Sequence, residues 1–360
     1  MQRMERLTAF WESPDFDEHE RVELVHDRAS GLTAIIALHS SHRGPGAGGT
    51  RFWHYPDPVT AMRDALRLSR GMSYKNAMAG LPMGGGKAVI LANPARDKTP
   101  EMLAAFGDAI EAFGGAYVTA EDVGMTEADM AAIARRTSFV TGLPADDAGS
   151  GGGDPGPHTA RGVFLGVREA VRVALGKDSL SGIHVAVQGV GSVGSGLARH
   201  LADEGARLTL ADIDEARARR LAEDLGCESV PADAIMGVDC DVFSPNALGA
   251  ILDEESIAGL RAGVVAGGAN NQLARPEHGD LLNRHGILFA PDYVINAGGI
   301  IAVTYEYLAR QAGERIDLAQ THAAVDAIPA RLAEIWGTAR ADGTAPSRVA
   351  DAMAQRLIGR

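Results

Sequence analysis

The chain reads as a two-domain α/β protein: an N-terminal α/β domain bearing the reactive residues, then a second domain built on a doubly wound parallel sheet. Three observations predict this. At 360 residues, with 46% apolar and 22% charged positions, the chain is globular in composition and long enough for two cores. In its second half, short buried-strand runs alternate with helical patterns, the order that builds a parallel sheet. Between the halves lies a break in composition, Asp146-Asp147-Ala148-Gly149-Ser150-Gly151-Gly152-Gly153-Asp154-Pro155-Gly156-Pro157, which marks a hinge or interdomain loop.

In the first half, Val22–His26 and Thr33–His39 read as β segments around the turn formers Ala29-Ser30-Gly31. Gly44-Pro45-Gly46-Ala47-Gly48-Gly49-Thr50-Arg51 follows as a glycine-rich loop, where backbone can approach a ligand or simply connect two elements. Asp57-Pro58 starts a helix. Its Ala61, Ala65, Leu68 and Met72 fall at helical spacing, and the same stripe reaches Lys75 seven residues beyond Leu68, aiming a cation inward. Lys87 comes twelve residues after Lys75, behind Gly84, Gly85 and Gly86, where the backbone must turn and a ligand can lie beside the amine. The plainer alternatives are a Lys75 that snorkels from a surface helix and a flexible glycine turn. Two lysines together in small, apolar surroundings favour site architecture. A Walker phosphate loop is excluded, because position 81 is Leu and position 88 is Ala.

Lys87–Leu91 reads as a strand, and Thr99–Phe113 as a helix with Pro100 in its first turn. Ala116–Thr119 is a strand that runs directly into Ala120-Glu121-Asp122-Val123-Gly124. Ligands bind at the carboxyl ends of strands in α/β sheets, so Glu121 or Asp122 is placed for chemistry, or else caps the next helix.

The helix Thr159–Leu175 opens the second half. Ile183–Gln188 is a buried-strand run feeding Gly189-Val190-Gly191-Ser192-Val193-Gly194; a helical pattern continues through Leu197 and Leu201, and the strand Ala206–Ala211 ends at Asp212, eighteen residues after the last glycine. A bare GxGxxG is weak, but strand, loop, helix, strand and acid in this order define a Rossmann-type dinucleotide-binding domain. Gly189, Gly191 and Gly194, with Ser192 and Val193 between them, bring a pyrophosphate to the helix N-terminus. Asp212 would accept hydrogen bonds from the adenosine ribose and repel a 2′-phosphate, which selects NAD over NADP. Val238–Phe243, Gly263–Ala266 and Ile287–Phe289 continue the sheet. The turns after these strands place Asn246, Asn270 and Asn271 where the nicotinamide end or the substrate would lie, although Asn is also an ordinary turn former. Asn296-Ala297-Gly298-Gly299-Ile300 is a close-approach turn into a helix with Ile300 and Val303 on its apolar face. Leu318–Trp336 and Pro346–Ile358 are helices.

The formal net charge of −13 argues against nucleic acid and anionic membranes as partners and for a small molecule. Cys227 and Cys240 form neither a CxxC pair nor a framework, and the histidines do not cluster at ligand spacing, which points to a reducing compartment and no metal. Met1–Glu20 lacks the apolar run of a signal peptide, and no stretch approaches ~18 uninterrupted apolar residues. The expectation is a cytoplasmic protein.

The order GAGGTRF, GMSYKNAMAGLPMGGGKAVI, YVTAEDVG, VAVQGVGSVG, GGANNQL and NAGG closely resembles the amino acid dehydrogenases acting on glutamate, leucine, phenylalanine and valine. The likeness covers roughly Leu32 to Val303 and extends more weakly to both ends. It implies reversible NAD-dependent oxidative deamination of an L-amino acid to a 2-oxo acid and ammonia, in a homo-oligomer. Lys87 matches the catalytic lysine that activates water, Lys75 the lysine that binds the substrate carboxylate, and Asp122 the acid that assists proton transfer and holds the amine. Gly48 and Gly49 match glycines lining the substrate end, and Asn271 the asparagine near the amino acid's main-chain groups. Ala47, Ala120, Ile300 and Val303 match the side-chain specificity positions, and Thr159, Asn246, Asn270 and Asn296 complete the expected cofactor contacts. The family architecture makes 1–145, joined by a C-terminal helix from about 335 to 360, the substrate domain, and 146–334 the NAD-binding domain, with the active site in the cleft between them. Hydride loss from Cα leaves an iminium that water must attack, which needs a base working near neutral pH; burial and a neighbouring cation both lower a lysine's pKa.

The chain departs from its relatives in informative places. Glutamate enzymes carry a lysine at the position of Ala47 and a serine at that of Val303. With both apolar, glutamate's second carboxylate would be buried unpaired, at a cost of several kcal/mol. Leucine enzymes usually have Leu at position 47, so Ala47 enlarges the pocket, and Pro157-His158 before Thr159 differs from them as well. The alternatives are a glutamate dehydrogenase, disfavoured by Ala47 and Val303, and a non-catalytic nucleotide sensor, disfavoured by intact Lys75, Lys87 and Asp122.

Overall fold

The computed structural model describes residues 10–144 and 153–360, apart from Pro94 and Arg96, so positions 146–152 of the expected hinge lie outside the described residues. The chain forms two compact units, the first from Met1–Gly153, Val303–Asp317 and Ala354–Arg360, the second from Asp154–Ala302 and Leu318–Met353. Two segments therefore return to the first unit, where the family resemblance implies a single C-terminal helix. Both are tied there by side chains: Glu306 and Arg310 to the 140–143 segment, Gln355 and Arg360 to Tyr74 and Asp17.

In the first unit, β1 (Arg21–Asp27), β2 (Leu32–Ser40), β3 (Gly46–Trp53), β4 (Gly84–Leu91) and β5 (Tyr117–Glu121) make one sheet in the order β1-β2-β4-β3-β5. β1/β2 and β2/β4 are antiparallel, whereas β4/β3 and β3/β5 are parallel. Side chains alternate across the sheet, so Ile35, Ala37 and Val89 meet Ala61, Met62, Ala65 and Leu66 of α1 (Pro58–Met78) on one face. Ile36, Ala88, Ile90 and Phe52 meet Met102 and Phe106 of α2 (Pro100–Glu111) and Met130 of α3 (Glu127–Ile133) on the other. Leu66, fully buried, contributes about 2 kcal/mol by burial alone. Asp57 caps α1 by accepting from Thr60 N at 2.8 Å, with Pro58 at the first helical position.

Three expectations are corrected here. The glycine-rich stretch read as a loop is strand β3, paired on both edges. Gly84–Gly86, read as a turn, open strand β4; a Cβ on Gly85 would lie 2.0 Å from Ser73 N, so the missing side chain admits α1 and not a turn. The buried stripe of α1 runs through Met62, Leu66, Ser69 and Ser73, while Leu68, Met72 and Lys75 lie half-buried along its border. That border faces the glycines of β3, since Met72 Cγ is 3.0 Å from where a Cβ on Gly48 would sit.

The second unit begins with α4 (Gly156–Leu175), β6 (His184–Gln188), α5 (Ser192–Asp203), β7 (Arg207–Ala211), α6 (Glu215–Leu225) and β8 (Glu228–Ser229). It continues with β9 (Val242–Pro245), α7 (Glu254–Gly259), β10 (Val264–Val265), α8 (Glu277–Arg284), β11 (Leu288–Phe289) and α9 (Asp292–Ile295). α10 (Gly298–Ala312), α11 (Leu318–Asp326), α12 (Ile328–Asp342) and α13 (Pro346–Leu357) complete the chain, α10 belonging to the first unit from Val303 onward. The strands are all parallel in the order β11-β10-β9-β6-β7-β8, the doubly wound arrangement that binds dinucleotides. Ala186, Phe243, Val265 and Phe289 pack with Ile257 and Leu282 on one side of it.

The strand expected from Val238 begins only at Val242, after a 3-10 turn over 235–237. The single helix expected over Leu318–Trp336 is two, divided at Ala327. Pro329, in the first turn of α12, has no N–H to continue α11. Among the described residues no helix is long and apolar enough to cross a membrane.

Candidate active site

Lys87 sits in the middle of β4 on the same face as Gly85 and Val89, the face covered by α1, and is only 5% exposed. Asp122, the first residue beyond β5, presents Oδ2 to Lys87 Nζ at 2.6 Å and to Arg51 Nε at 3.2 Å. Arg51 reaches it from β3 because it lies two residues past Gly49, on the same face; a Cβ on Gly49 would itself be 2.8 Å from Asp122 Cβ. From Arg51 the network continues into α1, where Asp64 accepts from Arg51 Nη1 and from Tyr55 OH, each at 2.7 Å. Of the two carboxylates the sequence leaves open, Asp122 is therefore the one that meets the lysine. It is not a helix cap, since Thr126 caps α3. Burial opposes ionisation of Asp122, but the Lys87 and Arg51 charges outweigh it and bring the carboxyl down to about 2. The arrangement is a nearly dry amine hydrogen-bonded to an acid that rests ionised at neutral pH, able to exchange a proton with it and to hold a substrate ammonium group.

Lys75 lies half-buried in the last turn of α1, and its neighbours in sequence are fastened. Ser73 Oγ is 2.8 Å from His39 Nδ1, and His39 Nε2 is 3.1 Å from Asp17 Oδ2. Burial, then the Arg360 charge and His19, push His39 down to about 4, so at neutral pH it is an uncharged bracket. Tyr74 OH accepts from Gln355 Nε2 at 3.1 Å, and Asn76 Nδ2 donates to Gly84 O at 2.5 Å and Ala47 O at 3.4 Å. The end of α1, which carries Lys75, is thus sewn to β4 and β3.

Ala47 pairs with Gly85 and Val118, and Gly49 with Ala120. Gly48 carries its carbonyl to Tyr117 OH at 2.7 Å. A Cβ on Gly48 would stand 1.9 Å from Gly86 O, so close strand approach alone requires glycine there. Val303 is held through its carbonyl by Thr141 Oγ1 at 2.8 Å, and one turn on Glu306 accepts from Gly142 N and Leu143 N, each at 3.3 Å. Ala47, Ala120 and Val303 are all buried and none can pair with a charge. Ile300 belongs to the second unit, as do Asn271 and all the expected cofactor residues.

There the fingerprint loop joins β6 to α5. Gly189 adopts φ +85° and Gly194 packs against it, while a Cβ on Gly191 would meet nothing within 4 Å, which leaves open space beside the loop at the helix N-terminus. Asp212 follows β7; its Oδ2 accepts from Val190 N at 2.8 Å. Ser192 Oγ donates to Asp154 at 2.5 Å and Thr159 Oγ1 to Pro155 O at 3.2 Å. Asn246 spends its amide inside the fold, on Ser244 and Gly268 N. Asn296 Nδ2 donates to Gly268 O and Asn270 Oδ1, yet its buried Oδ1 has no hydrogen-bond partner among the described residues. Asn271, with φ +52°, donates its N–H to Asp292. The open cradle at Gly191, the carboxylate at the end of β7 and the orphaned acceptor of Asn296 fit a dinucleotide.

Arg51, His39, Ser73 and Asn76 are the supporting residues that sequence reasoning missed. Arg51 had a signal, its alternation with Gly49. The others are paired through contacts distant in sequence. No group of three His, Cys, Asp or Glu side chains among the described residues could hold a metal ion.

Such a pairing of a lysine-bearing mixed-sheet unit with a doubly wound nucleotide unit defines a dehydrogenase of the amino acid class. Residues 19–139 match the family model described as Glu/Leu/Phe/Val dehydrogenase, dimerisation domain, and 151–356 that of Glutamate/Leucine/Phenylalanine/Valine dehydrogenase. Leucine dehydrogenase of Geobacillus stearothermophilus is 45% identical over 344 residues, 95% of this chain and 91% of that protein. Valine dehydrogenase of Streptomyces virginiae is 43% identical over 343 residues, 94% of each chain. The crystal structure of L-tryptophan dehydrogenase from Nostoc punctiforme matches with a TM-score of 0.80 at 38% identity, covering 95% of this chain and 96% of that one. The chain belongs to the Glu/Leu/Phe/Val dehydrogenase family. It is an amino acid dehydrogenase that uses NAD or NADP.

Proposed function

We propose that the chain catalyses the reversible NAD-dependent oxidative deamination of apolar L-amino acids, of the leucine, valine and phenylalanine class, to 2-oxo acids and ammonia. The observation that carries this reading is the Lys87 Nζ to Asp122 Oδ2 contact of 2.6 Å, set beside buried positions, Ala47 and Ala120, that offer no charge. A dinucleotide bound in the second unit would supply the acceptor for the hydride that leaves Cα. The protein's own residues divide the remaining work. Lys75 holds the substrate carboxylate as a point charge. Asp122 holds the amine, and Lys87 takes the proton from the water that attacks the iminium carbon, passing it on through Asp122. Gly48 and Gly49 line the substrate end, and Asn271 and Ile300 are assigned with them by family resemblance.

Gly189, Gly191, Ser192, Val193 and Gly194 would carry the pyrophosphate and Asp212 the adenosine ribose, with Thr159, Asn246, Asn270 and Asn296 toward the nicotinamide. The carboxylate of Asp212 favours NAD over NADP. The relatives named for leucine, valine and tryptophan support an apolar side chain. The first unit's match to a dimerisation domain supports a homo-oligomer, and two free cysteines suit a reducing cytoplasm. NADH absorbance with a panel of leucine, valine, phenylalanine, tryptophan and glutamate, each with NAD and with NADP, tests the reading. Apolar substrates with NAD should lead; a preference for glutamate would overturn the substrate assignment, and equal kcat/KM for both cofactors would overturn that of Asp212.

A further inference from the structure

The carboxylate read as the NAD selector does not act alone. Arg217 donates from Nη2 to Asp212 Oδ1 at 2.6 Å, with the aspartate side chain 4% exposed and the arginine side chain 45% exposed. The acid is sunk and the guanidinium lies over it at the surface. Both carboxylate oxygens are already engaged, Oδ2 by Val190 N at 2.8 Å and Oδ1 also by Asp214 N at 2.9 Å. Helix geometry explains the placement. Asp214 caps α6 by accepting from Arg217 N at 3.0 Å, and helical side chains lean toward the N-terminus, so Arg217 reaches back over the cap to the end of β7. The other charges of this first turn are Glu215, paired with Arg219 at 4.0 Å, and Asp214 itself.

The end of β7 is where the adenosine ribose lies in a doubly wound dinucleotide fold, and an arginine at that point is the group that accommodates a 2′-phosphate. We infer that Arg217 is a 2′-phosphate-binding residue held in check by Asp212, so that the cofactor choice resides in the pair. The inference rests on the reading of Asp212 as the ribose acceptor. While the pair is intact, the carboxylate neutralises the guanidinium and repels a phosphate. Without the carboxylate, the planar guanidinium is free to take two phosphate oxygens. The ligand class is the 2′-phosphorylated adenosine of NADP.

Fluorescence titration of the full chain with NADPH and NADH, without amino acid, tests this on the wild type, Arg217→Ala, Asp212→Ser and the double variant. Asp212→Ser should raise the ratio of NADPH to NADH affinity by about tenfold or more, and adding Arg217→Ala should remove about tenfold, the worth of charge-assisted hydrogen bonds to phosphate. Thermal shifts with adenosine 2′,5′-bisphosphate against ADP should follow the same order. Asp212→Asn, which keeps an acceptor for Val190 N, replaces Asp212→Ser if that variant fails to fold. An Arg217→Ala change that leaves the ratio within twofold in the Asp212-substituted background overturns the inference. NADH affinity unaltered by loss of Asp212 would instead overturn the ribose assignment, an outcome read separately from the Arg217 comparison.

Discussion

Lys87→Ala removes the amine to which the proposed function gives the role of base, and the burial of that amine bears on the size of the effect. Lys87 is 5% exposed, so solvent bases have little access to the position its amine occupies. A positioned general base contributes about 10²–10⁴ in rate, or about 3–5 kcal/mol at 1.36 kcal/mol for each factor of ten. The structural penalty should be smaller than the 3–5 kcal/mol typical of breaking a buried ion pair, because Asp122 keeps Arg51 at 3.2 Å and is 24% exposed. The variant should therefore fold, bind NADH through the untouched second unit, and lose at least about a hundredfold in kcat/KM for leucine. Initial rates by NADH absorbance, NADH binding by fluorescence and thermal unfolding together separate the effects. A variant that keeps a tenth of the wild-type rate would refute the assignment; lost NADH binding with early melting would make Lys87 structural.

Three further outcomes follow from the same geometry. The folded-state carboxyl of Asp122 is lowered to about 2 from its usual value of 3.8, so its ionisation adds stability that is complete above about pH 4 and lost as pH falls toward 2. Asp122→Asn should flatten that part of a urea-unfolding pH series by at most about 2 kcal/mol, and an unchanged slope would deny the coupling. Lys75→Ser should cost a few kcal/mol in kcat/KM for amino acids but far less for amines that lack a carboxylate, whereas equal losses would make Lys75 structural. Ala47→Leu should cut activity on phenylalanine more than on valine, since Ala47 leaves room that Leu would fill; equal losses on both would misplace the pocket.

The parts of the fold that were legible share a physical signature. β1, β2, α1 and α2 were read to within a few residues because alternation, a capped start and a proline at the first turn all agreed. β3 was misread because its glycines mimic a loop. In a strand paired on both sides they serve instead to admit neighbouring backbone, and composition carries no trace of that. α6 was missed because only Ala218, Leu221 and Ala222 are buried on an otherwise charged helix. Lys87, Lys75 and Asp122 stand out in the sequence as candidates, and the structure brings Lys87 and Asp122 into contact. What holds them was not legible: His39 meets Ser73 across 34 positions, and Arg51 meets Asp122 across 71. Such partners exist only once the sheet order β2-β4-β3-β5 is formed.

Substrate class in such a site is set by backbone placement as much as by the side chains that wall it. Val303, proposed as a pocket residue, is positioned by its carbonyl, through Thr141, and by the Glu306 clamp one turn later, so replacing its side chain should leave its backbone in place. Val303→Ser would add one neutral hydroxyl, which cannot balance glutamate's second carboxylate. Ala47→Lys would add the missing charge, but at a strand position that is 4% exposed and flanked by Gly85 and Val118. An ammonium there lies unpaired whenever glutamate is absent, at a cost of several kcal/mol. Neither single change gives a glutamate enzyme, and the more useful of the two destabilises the empty protein. On the proposed pocket assignment the apolar preference is therefore protected by the cost of an unpaired charge, and a switch of substrate requires the charge and the hydroxyl to be introduced together.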